Sequence, residues 1–160
     1  MKSLRPSESV VETTHTVLPP DTNHHGTAFG GMIMQWMDII SGVAAVRHCR
    51  HPVVTVAVDD LHFAEPIRLG DVVILKACVN YTGRTSMEVG VRVEREDLRT
   101  RQREHCLSGY FTFVAVDKNS RPIPVPGVLP ETENEKRRYQ NAEIRREARL
   151  EKMNTRNKGN

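Results

Sequence analysis

The chain has 160 residues, 38% apolar and 27% charged, with a net charge of +3, which is enough for one domain with a real core and too little for two. This is a soluble globular profile, and the start, MKSLRPSESV, has no apolar signal region. The longest apolar stretch, residues 32–46, is shorter than a bilayer requires and carries Gln35 and Asp38, which argues against a membrane span.

Cys49, Cys78 and Cys106 are odd in number, far apart and without a Cys-x-x-Cys pair, so reduced thiols and a cytoplasmic protein are expected. The positive charge is concentrated from Glu131 onward, where nine Lys/Arg meet six Glu. Such interleaving describes a solvated helix surface. No aromatic-rich or glycine-rich motif accompanies it, so no nucleic-acid partner is expected.

In chain order, residues 1–9 read as a disordered lead-in, followed by a main domain over residues 10–130 and a charged helix and tail over 131–160. Residues 10–18 form a first strand, rich in Val and Thr and stopped by Pro19-Pro20. A polar loop, 21–29, leads into a helix over about 31–48 that is apolar nearly all round and is expected to be buried on most faces. After Pro52 the pattern becomes period two. Residues 53–63 are β-rich; Val73, Leu75, Ala77, Val79 and Tyr81 share one face of the next strand. Met87, Val89, Val91 and Val93 alternate with Glu88, Arg92, Glu94 and Glu96, predicting a strand with one wet face. Residues 105–117 give a last strand, a turn at 118–121 follows, and a proline-rich stretch, 122–130, leads to the terminal helix. The sum is an α+β domain, an antiparallel sheet wrapped around one long central helix. A single sheet leaves one side of that helix open, so a two-fold dimer is expected to cover it.

The chemistry is concentrated in PPDTNHHGTAFGGMIMQWMD, residues 19–38. The first turn of a helix has unpaired N–H groups, and Gly30-Gly31 lets a ligand approach them; such amides bind phosphate or polarise a carbonyl oxygen. The bland alternative is a tight loop-to-helix turn. Asp38 stands in an apolar run, where a carboxylate has a raised pKa and suits a general base or nucleophile. Asp38 lies seven residues past Gly31, about 10 Å along its own helix. One carbonyl reaches both groups only if they come from different chains. Asn23 supplies an amide on the loop, or else an Asx-turn. His24, His25, His48, Cys49 and His51 lack the spacing of a metal site, so no metal is expected.

These residues resemble the hotdog-fold acyl-CoA thioesterases, the acyl-CoA hydrolase branch with the pattern P-x-D-x-N-x-x-G-x-x-F-G-G-x-x-M-x-x-M-D. The likeness continues through VTVAVDDLHFAEPIRLGDVV, YTGRTSMEVGVRVERED and FTFVAVD, about residues 10–125. The resemblance implies hydrolysis of acyl-CoA to a free acid and CoA. Asp38 would activate water or attack the thioester, Asn23 of the partner protomer would assist, and the amide of Gly31 or Gly30 would hold the thioester oxygen. It further implies a pantetheine arm along the strand edge at Val54, Thr55 and Val56, and phosphates at the turn Gly83-Arg84-Thr85-Ser86, where an arginine and two hydroxyls suit a polyanion. Lys118 and Arg121 are further candidates for CoA binding. No cofactor is implied beyond coenzyme A as part of substrate and product. Family members commonly form trimers of dimers, which makes a hexamer the expected assembly.

Two competing readings follow. A hydratase-type hotdog enzyme resembles D-x-N-P-x-H; Asp21-Thr22-Asn23 begins that way, but the fifth position after Asp21 is Gly26. A non-catalytic acyl-CoA-binding protein on this fold carries an appended domain, for which the chain has no room.

Overall fold

The computed structural model describes residues 1–159. Five strands, β1 (Val11–Thr16), β2 (Val53–Phe63), β3 (Val72–Thr82), β4 (Ser86–Glu96) and β5 (Arg103–Ala115), form one antiparallel sheet in the order β1-β3-β4-β5-β2. Helix α1 (Gly30–Cys49) lies across one face and helix α2 (Glu133–Lys158) lies on the other. The α+β architecture, with a central helix wrapped by an antiparallel sheet, is as expected. No described helix is long and apolar enough to cross a membrane.

The strand order adds something that sequence order conceals. Because β2 follows a helix that traverses the sheet, it emerges at the far edge and pairs with β5 rather than forming a hairpin with β3. β1 and β2 are therefore the two edges, and α1 bridges them.

The core lies between α1 and the sheet. Ile33, Met37, Ile40, Ala44 and Ala45 recur at helical spacing and pack onto Val73, Leu75, Val79, Val89, Val91, Phe111 and Phe113. Truncating one such side chain, as in Met37→Ala, would cost about 2–5 kcal/mol. Arg50, in the left-handed region at φ 61°, ends the helix with its N–H on the Val46 carbonyl.

Three expectations are corrected. Residues 1–9 are ordered: Pro6–Glu8 form a 3-10 turn, Leu4 exchanges hydrogen bonds with Gly127 and Leu129, and the buried Ser9 hydroxyl accepts from the Val79 amide at 2.9 Å. The proline-rich stretch provides partners that the local sequence of the lead-in does not advertise. Helix α1 is buried on one side only, since Met34, Ile39, Val43 and Val46 are exposed within the protomer. The outer face of β4 is not simply wet either. Glu88 is 3% exposed because α2 folds over it instead of standing in solvent, and Glu94 is buried among Lys76, Arg92 and Arg103.

That packing is electrostatic as much as apolar. Tyr139, Ala142, Arg145 and Arg149 recur at helical spacing on α2. Tyr139 meets Tyr81 with ring centroids 4.9 Å apart, Ala142 is fully buried, and Arg149 pairs with Asp59. Arg145 makes a two-pronged contact to Glu88, at 2.7 and 3.2 Å, while its guanidinium stacks 3.5 Å over the Tyr110 ring. A capping box, Thr132 with Glu135, starts the helix.

On the α1 side, His48 is buried, with Nε2 2.9 Å from the Pro126 carbonyl and Nδ1 without a hydrogen-bond partner among the described residues. Burial holds its pKa below the ordinary imidazole value of 6.5, against smaller opposing effects of the Pro126 carbonyl and Glu8.

Removing Arg145 strands a buried carboxylate, so Arg145→Ala is expected to destabilise the fold by about 3 kcal/mol, read as a lower urea midpoint at unchanged slope. Replacing Glu88 by Gln in that background should recover part of the loss. His48 gives a pH dependence of definite sign. With a depressed folded pKa, the unfolded chain binds the proton first, so stability falls as pH drops below 6.5. Urea midpoints at successive pH values should show this decline, and His48→Gln should flatten it.

Candidate active site

Local sequence sets the loop before α1. Asn23 forms an Asx-turn: its carboxamide oxygen accepts from the His25 amide at 2.9 Å and the Thr27 amide at 3.3 Å, and its Nδ2 donates to Thr27 Oγ1 at 2.8 Å. Gly26 takes φ 75°, which an L side chain resists. The Ala28 amide donates to the Ile67 carbonyl and the Phe29 amide to the Asp21 carbonyl, which fixes the loop beside the helix start. One Asn23 N–H remains uncommitted after these contacts.

Phe29 occupies the N-cap and has no side-chain acceptor to offer. The amides of Met32 and Ile33 turn back to the Phe29 carbonyl, whereas those of Gly30 and Gly31 have no acceptor among the described residues. The two glycines differ in the space beside them. A Cβ on Gly31 would press on the Phe29 ring at 2.7 Å, and one on Gly30 would sit 3.6 Å from Phe63. Phe29 and Phe63 are themselves exposed, and a groove of about 320 Å³ lined by Thr27, Ile33, Phe63 and Ile67 opens beside them.

Asp38 lies further along α1. It is half-buried, not enclosed in the protomer core as its apolar neighbours imply, because the side of α1 bearing Met34, Ile39 and Val43 is uncovered. Its Oδ1 accepts a hydrogen bond from the Thr55 hydroxyl at 2.8 Å. That bond orients the carboxylate, whose other oxygen has no hydrogen-bond partner among the described residues. Thr55 belongs to β2, whose Val54, Val56 and Val58 are likewise exposed. Sequence alone reads Thr55 as one more β-former in an alternating strand. Only the helix–strand register turns it into a partner for Asp38.

The residues singled out for CoA converge at one end of the sheet. Val54 and Ser86 both pair with Val114 of the intervening β5, so the β2 edge and the turn at 83–86 are about 10 Å apart. That turn is tied by the Gly83 amide to the Ser86 carbonyl, and by the Arg84 and Thr85 carbonyls, which accept from Val125 and Ala115. Lys118 and Arg121 are exposed in the turn after β5, where the Arg121 amide donates to Asp117. A residue missed by sequence reading joins them: Arg146 of α2 has its Nε 3.5 Å from where a Gly83 Cβ would stand. Nothing in the tail's alternating charges marks it out. Among the described residues no group of three or more His, Cys, Asp or Glu is placed to hold a metal.

The chain is similar to known proteins along most of its length. The profile of the thioesterase superfamily matches residues 25–101. The uncharacterized acyl-CoA thioester hydrolase YkhA of Bacillus subtilis is 47% identical over 80% of this chain and 74% of its own length. A crystal structure of an apo-hexameric acyl-CoA thioesterase superposes with a TM-score of 0.91 at 42% identity, covering 96% of this chain and 98% of the other. An acyl-CoA hydrolase of Staphylococcus aureus, solved with butyryl coenzyme A, coenzyme A and coenzyme A disulfide, gives 0.87 at 38% identity, covering 96% of each chain. Further structures of that hydrolase carry alanine in place of one aspartate, one asparagine or one threonine. Those three positions have the same spacing along the chain as Asp38, Asn23 and Thr55 do here. By sequence, strand order and the setting of its central helix, the chain belongs to the thioesterase superfamily, among the hotdog-fold acyl-CoA thioester hydrolases.

Proposed function

We propose that the protein hydrolyses acyl-CoA to a free carboxylic acid and CoA at a site shared between two protomers. The observation that carries this reading is the placing of an oriented carboxylate and an uncapped helix start on one helix, too far apart for one carbonyl. Seven residues of α1 separate Gly31 from Asp38, about 10 Å. Antiparallel packing of two α1 helices brings the start of one beside the middle of the other. The exposed Ile39 and Val43 of α1 and Val58 of β2 provide an apolar surface for that contact.

In the mechanism, Asp38 of one protomer takes a proton from water and the oxygen attacks the thioester carbonyl carbon. Negative charge then develops on the carbonyl oxygen, where the Gly30 and Gly31 amides of the second protomer stabilise it. The free Asn23 N–H assists from the same loop. Collapse breaks the C–S bond, and the departing thiolate takes the proton back from Asp38. Thr55 holds Asp38 in its working orientation rather than contacting pantetheine alone. The turn at 83–86, with Arg84 and Arg146, and the cations Lys118 and Arg121 receive the phosphates of CoA. The minimal active unit is then a homodimer, and a trimer of dimers is the assembly proposed here by likeness to the hexameric relative.

Asp38→Ala is expected to lower kcat by about 10²- to 10⁴-fold in a thiol-release assay without loss of the assembly. Mixing Asp38→Ala with Asn23→Ala protomers should restore part of the activity, since one site of each mixed dimer regains both groups. No recovery would place both residues in one chain and sink the shared site. Thr55→Val keeps shape but removes the hydroxyl; it should lower kcat by about tenfold, with the midpoint of thermal unfolding little changed.

A further inference from the structure

The face of the sheet remote from α1 carries a second cavity, of about 490 Å³, between α2 and strands β3, β4 and β5. Its walls include Lys76, Arg92, Arg137 and Arg138, and no carboxylate is among the described residues that line it. Two acids act on these cations. Glu94 pairs with Lys76 at 3.0 Å and with Arg92 at 3.6 Å. Glu135, which also acts on Arg138, is engaged at the helix start by the Glu131 and Thr132 amides. Arg137 and Arg138 form no ion pair among the described residues. The cavity is therefore cationic in excess, and such a surface attracts anions.

Two of its polar groups lack any partner. Asn80 is 3% exposed, yet its Nδ2 makes no hydrogen bond among the described residues, and Arg138 Nε is in the same condition. Both atoms are sealed off, Nδ2 of Asn80 against Gly90, so neither faces a ligand in the cavity. Gly90 lies directly beneath the Asn80 amide, where a Cβ would come within 2.4 Å of Nδ2. The Asn80 side chain thus occupies a space that any larger residue at position 90 would close. What opens onto the cavity is four cations and no carboxylate, and an oxyanion is the species that complements them.

We propose that this cavity is a binding site for a phosphate- or diphosphate-bearing small anion, held by Arg137 and Arg138 with Lys76 and Arg92 at its rim. It is on the opposite side of the sheet from Asp38 and Gly31, and it stands whether or not the thioesterase reading holds. Its volume exceeds that of a bare phosphate, so a free phosphate and a nucleotide share the chemistry that would be recognised.

The test is titration calorimetry of the full chain with inorganic pyrophosphate at constant ionic strength, which separates binding from screening. Saturable binding is expected, weakened about tenfold or more in Arg137→Gln/Arg138→Gln. Arg137→Gln alone, at an exposed position, should show an intermediate loss and guards against misfolding of the double variant. Arg156→Gln, near the far end of α2, should bind as wild type. ADP in place of pyrophosphate distinguishes the sources: tighter binding with the same arginine dependence assigns a nucleotide, and equal or weaker binding assigns free phosphate. Absence of saturable binding of both probes by folded wild type overturns the proposal, as does undiminished affinity in the folded double variant. Loss of pyrophosphate binding in Arg84→Gln with none in the double variant also overturns it, because the anion then sits at the turn after β3. A changed sedimentation coefficient of the double variant at unchanged affinity overturns it too, since those arginines would then face another copy of the chain.

Discussion

Helix α1 divides its apolar surface between two demands, and the arrangement of the molecule follows from that division. Ile33, Met37, Ile40 and Ala44 face the sheet and close the core, while Met34, Ile39, Val43 and Val46 face outward on the same twenty-residue helix. A helix of this kind cannot be satisfied by a single five-stranded sheet, which covers only one side of it. The edge strand β2 adjoins the open side of the helix, and its Val58, paired with the core residue Phe111, is exposed there. Hydrophobic burial of that continuous face is the driving force for association proposed above. Asp38, at the margin between the covered and open sides, is where solvent, partner and substrate would meet.

The same helix explains why the strands are ordered as they are. Crossing the sheet from β1 to β2, it forces these two to opposite edges and leaves β3, β4 and β5 as the interior. The β2 edge then runs beside β5 and close to the turn between β3 and β4. Candidate residues separated by about thirty positions, Val54 and Ser86, thereby come to flank the same residue of β5.

The outer face follows a different physics. There α2 covers β3 and β4 largely through charge. Arg145 must neutralise Glu88, and the stacking on Tyr110 orients it for that role. A pair of this kind adds little over an apolar contact of equal size but is costly to break from one side. It therefore specifies where α2 docks more than it strengthens the docking. The cationic excess left further along the same face, at Arg137 and Arg138, has no such internal partner, and this difference separates a structural ion pair from a candidate ligand site.

Much of this was legible in the sequence. Period-two alternation gave β3, β4 and β5, an apolar run gave α1, and the Pro19–Asp38 block carried the family, the glycine pair and the carboxylate. These are local signals, since alternation and helical periodicity need only neighbours along the chain. Contacts between distant elements were not legible. The Thr55 hydroxyl at Asp38, the Arg146 side chain near Gly83 and the burial of Glu88 each depend on which element lies against which. No spacing in the chain encodes that. The sequence by itself determined the kind of fold and the chemical groups it offers. Tertiary structure alone decided which acid is neutralised, which is left open, and which donors remain without a partner, because burial and pairing are properties of the space between elements.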